Sequence, residues 1–317
     1  MSLDCLSVGI LVVDHLCDPI SHLPAQGELV LAERLPLSVG GCASNAAIDL
    51  ARLGVNVGVV GCVGRDAFGE YMVGKLKAAG ADTRDIVTVD DAETSGSLVI
   101  NVAGQDRRFI HAVGANARLR SQHISRDRVR QAKIFYVGGY LLLAGLEPEG
   151  LAEIFRDARA HGVTTVLDVV SPKPGDSWEK LAPVLPETDV FLPNQDEAAV
   201  ITGETDPLRQ AERFRSAGAH TVVITCGAAG SLLLSEQLRL RAGIYPVEYR
   251  GGTGSGDAFD AGYIAGLLAG EDPAGCLRWG SAVGASCVRS IGATDSVFTR
   301  DEAQAFMRRQ ALKIEPF

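Results

Sequence analysis

No run of apolar residues in this 317-residue chain approaches the roughly 18 that a membrane-spanning helix needs, and no basic segment leads into an apolar one at its start. The protein is therefore expected to be soluble and cytoplasmic. Positive charge is also scarce. Thirty Lys and Arg stand against 39 Asp and Glu, a formal charge of -9, which disfavours nonspecific binding to nucleic acid or acidic membranes because both need a positive surface field. Any anionic ligand has to find a local positive site. The seven cysteines (Cys5, Cys17, Cys42, Cys62, Cys226, Cys276, Cys287) are odd in number and scattered, with no C-x-x-C pair, and the six histidines form no H-E-x-x-H run. A structural metal site is not expected, and the cysteines read as small buried hydrophobes.

What is present is an ordinary globular composition, 46% hydrophobic and 22% charged, able to bury a substantial core. Short β-branched runs alternate with segments of helical period: Leu6 to Val13, Ala43 to Leu53, Val55 to Val63, Ala67 to Ala79. The rhythm resumes with Ile134 to Val137, a helix over Glu149 to Ala160, and strands at Thr164 to Asp168, Val190 to Leu192 and Thr221 to Thr225. Such alternation predicts a mostly parallel sheet covered on both faces. Two stretches, about 14–39 and 95–113, break it. In the second, Ser97 to Val102 and Arg107 to Val113 flank Gly104-Gln105-Asp106 and read as a β-hairpin. Hairpins outside a parallel sheet suggest a small lid, or else an extension of the sheet edge.

The chemistry concentrates where Gly251-Gly252-Thr253-Gly254-Ser255-Gly256-Asp257 feeds a helix whose apolar residues are Phe259, Tyr263, Ile264, Leu267 and Leu268. Amides at a helix N-terminus have no partner inside the helix, and glycines let a phosphate approach them, so the junction is an anion cradle. Asp257 could accept the proton of an attacking hydroxyl while those amides neutralise charge on a transferring phosphoryl group; an acidic residue is also simply favoured in a helix's first turn. Two other phosphate loops fail. A dinucleotide fingerprint at Gly252 and Gly254 would need a third glycine where Asp257 stands, and the near-match to a Walker A loop at Gly69 to Lys75 has Leu76 in place of its hydroxyl residue.

Taken together, Gly40-Gly41-Cys42-Ala43-Ser44-Asn45, Gly61-Cys62-Val63-Gly64-Arg65-Asp66-Ala67-Phe68-Gly69 and Gly254-Ser255-Gly256-Asp257-Ala258-Phe259 resemble the ribokinase, or PfkB, family of carbohydrate kinases, in an order and spacing that cover nearly the whole chain. The resemblance implies a three-layer α/β/α core with a mostly parallel central sheet, one kinase domain over 1–317 with a small β-sheet lid, and ATP and Mg2+ as cofactors. Asp257 would be the catalytic base, with the amides of Gly254, Ser255 and Gly256 as the anion hole. Asp14, Gly40, Gly41 and Asn45 would bind substrate hydroxyls. Asn194 and Glu197 match the family's N-x-x-E motif, which organises nucleotide phosphates and magnesium, with Glu197 acting through coordinated water. The same spacing is that of a helix capping box. Thr225, Gly227 and Gly230 match a turn beside the nucleotide, also readable as a plain glycine turn between Val222 to Ile224 and Leu232 to Leu234. The Ala-, Gly- and Ser-rich segment from Gly280 to Ser290 would wall the adenine, or else serve tight helix packing. A homodimer through the lid is implied.

Two departures stand out. The family usually has Asp-Thr at the head of the catalytic loop, and that aspartate helps hold a monovalent cation; this chain has Gly251-Gly252, so potassium activation is not expected. The strand ending Val137-Gly138-Gly139-Tyr140 lacks an acidic substrate contact of some ribokinases, so ribose specificity is not implied. The activity expected is transfer of the ATP γ-phosphoryl group to a hydroxyl of a sugar or sugar-like molecule. A nucleoside or inositol kinase, a phosphorylated substrate met by Arg107 and Arg108, and a non-catalytic nucleotide or sugar sensor stay open beside it.

Overall fold

The computed structural model describes residues 3–105, 108–171 and 175–317. The apolar run from Leu6 to Val13, read above as one strand, divides into β1 (Leu3–Gly9) and β2 (Val12–Ile20), which belong to different sheets. Two features cause the division. Gly9 takes φ 147° and packs so closely on its neighbour that a Cβ there would lie 2.1 Å from the Gly138 carbonyl oxygen. Two residues on, the buried side chain of Asn116 accepts from the Leu11 amide at 3.0 Å and donates to the Leu11 carbonyl at 3.0 Å. A backbone that leaves a sheet in the interior must have its polar groups paired elsewhere, and one carboxamide does so here.

The chain then runs β3 (Leu37–Gly40), α1 (Cys42–Arg52), β4 (Val57–Gly64), α2 (Ala67–Ala78), β5 (Asp82–Val89), β6 (Gly96–Val102) and β7 (Arg108–Ala112). α3 (Arg126–Arg130), β8 (Ala132–Gly138), α4 (Pro148–Ala160), β9 (Thr164–Leu167), α5 (Ser177–Leu181), β10 (Val190–Phe191), α6 (Gln195–Thr202) and α7 (Pro207–Ser216) follow. Last come β11 (Thr221–Thr225), β12 (Ser231–Ser235), β13 (Arg239–Ala242), α8 (Ser255–Leu268), α9 (Pro273–Cys287), α10 (Arg300–Arg309) and β14 (Ile314–Pro316).

Among the described residues ten strands form one sheet in the order β14-β13-β12-β11-β10-β9-β8-β1-β4-β5, parallel from β5 to β11 and antiparallel beyond. Alternation within a strand feeds two cores. Ile134 and Tyr136 of β8 join the cluster under α1, α8 and α9, while Phe135 and Val137 join that under α4, α6 and α7. A sheet buried on both faces needs no polar side, which is why β4 is apolar or glycine throughout and entirely buried.

The two halves of the chain leave β1 in opposite directions, to β4 and β5 on one side and to β8 through β14 on the other. The carboxyl ends beside that reversal are where ligands bind in open α/β sheets. Over it stands a four-stranded sheet, β3-β2-β6-β7, in which β2 and β6 pair in parallel and the outer pairs are antiparallel. The hairpin expected at 95–113 is β6 and β7, though Asp106 and Arg107 lie outside the described residues. Between Ile20 and Leu37 there is no strand. The G-x-x-G-x-D-x-x-G turn has a structural task. Asp66 caps α2 through Gly69 N at 2.8 Å and accepts from Thr94 N and Oγ1, both at 2.7 Å, tying that corner to the segment entering β6. Gly69 and Lys75 lie within α2, as the failed Walker match implied. Among the described residues no helix is long and apolar enough to cross a membrane.

Candidate active site

α8 is capped at its start by Gly254, whose φ of 76° is the left-handed conformation glycine adopts without strain. A Cβ there would lie 2.6 Å from that of Ala293, whereas one on Gly256 would meet nothing within 4 Å. The first-turn amides of Gly256 and Asp257 have no intrahelical acceptor and border that open space. The Ser255 hydroxyl donates back to the Gly252 carbonyl at 2.9 Å and fixes the turn.

Asp257 stands in this first turn, half-buried, and accepts from Asn45 Nδ2 at 2.8 Å. Asn45 lies one turn into α1, whose N-terminus is set by the Gly40-Gly41 pair. Gly41 takes φ 91° against Ile10 and Val12, and a Cβ on Gly40 would lie 2.1 Å from Oδ2 of Asp14. Asp14, expected to bind substrate hydroxyls, is brought over the head of α1 from the small sheet: it is the third residue of β2, paired with Ser38 and Ser97.

The sequence reading missed two members of this cluster. Asp168 follows β9 directly and accepts from the Gly139 amide at 3.1 Å. Cys42 is the first residue of α1. The Cys42 thiol and one oxygen each of Asp168 and Asp257 lie within 4.8 Å of one another. Asp168 closes the run Thr164 to Asp168 read above as a strand, and a carboxylate at the carboxyl end of a parallel strand is the signal that could have found it. Nothing in the sequence marked Cys42, which Gly138 and Gly139 accommodate by presenting no side chain.

The electrostatics are one-sided. Burial, reinforced by Glu197 and Asp257, pushes the Asp168 carboxyl well above the usual range. Burial and the neighbouring carboxylates push Glu197 to about 8 against two bonds from Asn194. Burial raises Asp257 against the donors Asn45 and Cys42, and Asp14 is pushed up to about 6 by burial and by Asp257 against the Ser97 bond. Asp260, bonded to the Tyr136 hydroxyl at 3.0 Å, is raised by burial and the same neighbours. None of these acids takes part in an ion pair among the described residues. Crowded, unpaired carboxylates suit a hard divalent cation, and magnesium is typically held by one or two carboxylates together with phosphate oxygens. Asp168 and Asp257, whose oxygens lie within 4.8 Å of each other, fit that requirement, the thiol does not, and Glu197 adds a further carboxyl close enough to raise Asp168.

Asn194 and Glu197 form the capping box of α6: Asn194 Oδ1 accepts from the Asp196 and Glu197 amides, and Glu197 Oε2 accepts from Asn194 N at 3.0 Å. The box uses one carboxylate oxygen, so capping and ion binding are compatible. Asn194 bridges in parallel to Thr225, and the Thr225 amide donates to Pro193 O at 3.1 Å, which brings the Asn194–Glu197 motif and the turn after Thr225 together. In the turn that follows, a Cβ on Gly230 would lie 2.0 Å from Ala242 O, so this glycine is required by packing on β13; a Cβ on Gly227 would meet open space. The small residues from Gly280 onward let α8 approach α9: a Cβ on Gly280 would lie 3.0 Å from the Phe259 ring.

The pattern of the pfkB family of carbohydrate kinases matches residues 2–300. The ribokinase of Haemophilus influenzae is 30% identical over 95% of this chain and 97% of its own length, and the 5-dehydro-2-deoxygluconokinase of Geobacillus thermodenitrificans is 27% identical over 96% and 93%. Among solved structures, a candidate ribokinase II of E. coli in complex with ATP and Mg2+ superposes with a TM-score of 0.84 at 24% identity, over 97% of this chain and all of that one. The ribokinase of Arabidopsis thaliana complexed with ribose and ATP does so at 0.83 and 22%, over 97% and 99%. The fold is therefore ribokinase-like, and with a family match over nearly its whole length, the chain belongs to the PfkB family of carbohydrate kinases.

Proposed function

We propose that this protein transfers the γ-phosphoryl group of ATP to a hydroxyl of a sugar or sugar-like small molecule at the head of α8. The observation that carries the proposal is Asp257, raised by burial and held by Asn45, in the first turn of a helix where a Cβ on the preceding Gly256 would meet only open space. The acceptor hydroxyl gives its proton to Asp257 as its oxygen bonds to the γ-phosphorus and the bond to the β-phosphate oxygen breaks, releasing ADP. The amides of Gly254 and Gly256, joined by that of Ser255 once it gives up its 3.3 Å bond to the Gly252 carbonyl, take up charge on the transferring group. Asp14, with Gly40, Gly41 and Asn45, orients the substrate through its hydroxyls. Asn194, Thr225, Gly227 and Gly230 lie along the nucleotide. Glu197 and Asp168 would hold Mg2+, which when bound neutralises phosphate charge.

The small sheet acts as a lid that keeps water from competing for the phosphoryl group. Its strands and the segment leading to β3 expose Leu29 (85%), Leu31 (82%) and Ile110 (64%) to solvent. In a homodimer in which two lids cover each other, these exposed apolar side chains would be candidates for burial. All seven cysteines are free, in keeping with a cytoplasmic location.

The test is MgATP consumption over pentoses, hexoses, nucleosides, inositols, sugar phosphates and 5-dehydro-2-deoxygluconate, with Asp257→Ala as control. Turnover on one class, reduced roughly 100-fold to 10,000-fold in the variant, is expected for loss of a general base; a variant as fast as the parent overturns the assignment.

A further inference from the structure

The family's usual cation-holding aspartate is Gly251 in this chain, and the residues around it do not fit such an ion. A Cβ at 251 would lie 3.0 Å from the Ser290 carbonyl oxygen, so the loop is packed directly on the wall behind it. That wall is the C-terminal end of α9 and the segment after it. The last carbonyls of a helix have no intrahelical donor and carry the negative end of its dipole. A wall of this kind either binds a cation or is capped by the chain itself.

Here the chain caps it. Ser286 O accepts from Arg289 Nε at 3.1 Å, and the Ser296 hydroxyl reaches both Ser286 O at 2.6 Å and Cys287 O at 3.0 Å. Val288 O accepts from the amides of Arg250 and Gly251 at 2.8 and 3.2 Å. Ser290 Oγ donates to Gly292 O at 2.8 Å, and Arg289 Nη2 to Ser296 O at 2.7 Å. The Arg289 guanidinium, 4.4 Å over the Phe298 ring, supplies the positive charge that the helix end favours. Asp295, a carboxylate on this segment, is exposed and folded over Gly292.

The buried Cys287 thiol joins wall to loop. Its Sγ stands 3.3 Å from Thr253 O and 3.0 Å from Ala293 O. Thr253 immediately precedes Gly254, and Ala293 is the residue on which Gly254 packs. The single S–H, lying between two carbonyl acceptors, can donate to either, so the thiol sits between both sides of the turn that carries the amides of Gly254 to Gly256.

We infer that this catalytic loop is set by the protein's own thiol, hydroxyl and guanidinium donors and not by a bound monovalent cation, with Cys287 as the residue that positions Thr253. Turnover is then indifferent to potassium. The inference rests on the 251–257 loop being the anion hole.

The experiment uses the full chain in tetramethylammonium chloride and in KCl, with Cys287→Ala and Cys287→Ser beside the parent. Two quantities are read: amide exchange over residues 250–257, which needs no substrate, and kcat and KM on the sugar that the panel identifies. The parent should be equally fast in both salts. Cys287→Ala should exchange roughly threefold to tenfold faster over the loop, as loss of one hydrogen bond allows, with kcat falling, sugar KM unchanged, and Cys287→Ser restoring both. Activation of the parent by potassium of about tenfold or more would overturn the inference, as would a Cys287→Ala protein whose loop exchange and kcat match the parent's. An active Asp257→Ala protein with the exchange results as expected would sink the assignment of the base and leave the loop's clamp standing.

Discussion

Asn45 Nδ2 donates to Asp257 Oδ2 across 2.8 Å and joins the first turn of α1 to the first turn of α8, residues 212 apart in sequence. The bond stabilises the charged form of Asp257 and opposes the burial that raises its pKa. Asn45→Ala should therefore raise that pKa further and move the acidic limb of the kcat profile upward by roughly one pH unit, the size expected when a hydrogen bond to a charged group is lost. An acidic limb that stays in place would mean that Asn45 does not tune the base.

Asp14 gives a second pH signature. Burial first, and then the charge on Asp257, push its carboxyl up to about 6 against the bond from Ser97. A carboxylate that accepts from sugar hydroxyls loses acceptor capacity when protonated. The sugar KM should therefore rise as pH falls through about 6, with ATP KM little changed, and Asp14→Asn should flatten that dependence while raising KM at neutral pH. Initial-rate kinetics from pH 5 to 8 check both statements.

These groups differ in how legible they were. The mostly parallel sheet follows from the strand and helix rhythm, and Asp257, Asn45, Asn194 and Glu197 were picked out by the resemblance of short motifs to those of the family. The split at Ile10 and Leu11 was not legible, because it is enforced by a carboxamide 105 residues away, and local periodicity carries no trace of such a contact. Asp168 was visible as a residue but not as a partner, since its neighbours come from the loop after β8 and from the heads of α1 and α8. Cys42 and Cys287 were read as small buried hydrophobes. That describes their burial but not the acceptors beside them.

Asp49, one turn after Asn45 in α1, is fully buried, and neither of its carboxylate oxygens has a hydrogen-bond partner among the described residues. Burial, and secondarily Asp257, raise its pKa well above the usual range despite Arg52. The folded state then holds this proton more tightly than the unfolded one. Its contribution is fully present below the unfolded pKa of about 3.9 and is lost as pH rises toward the folded value. Asp49→Asn should stabilise the protein by on the order of 1 kcal/mol at neutral pH, with the gain vanishing near pH 4. Denaturant titrations at the two pH values measure it, and a variant less stable at neutral pH would show that the carboxylate has a task of its own.

Gly40 separates substrate binding from folding. Its backbone conformation is one any residue adopts, so the demand for glycine comes from space alone: an added methyl would lie 2.1 Å from Asp14 Oδ2 and 2.6 Å from its Cγ. The nearest atoms belong to a side chain that can swing away, so Gly40→Ala should fold with nearly unchanged stability but push the Asp14 carboxylate out of the position where it meets substrate hydroxyls. Sugar KM should rise by about tenfold, the equivalent of one charge-assisted hydrogen bond, with ATP KM unaffected. Combining Gly40→Ala with Asp14→Asn should add little to either single change, because both remove the same contact. Full additivity in that double-mutant cycle would mean that the close approach of Gly40 and Asp14 is incidental to substrate binding.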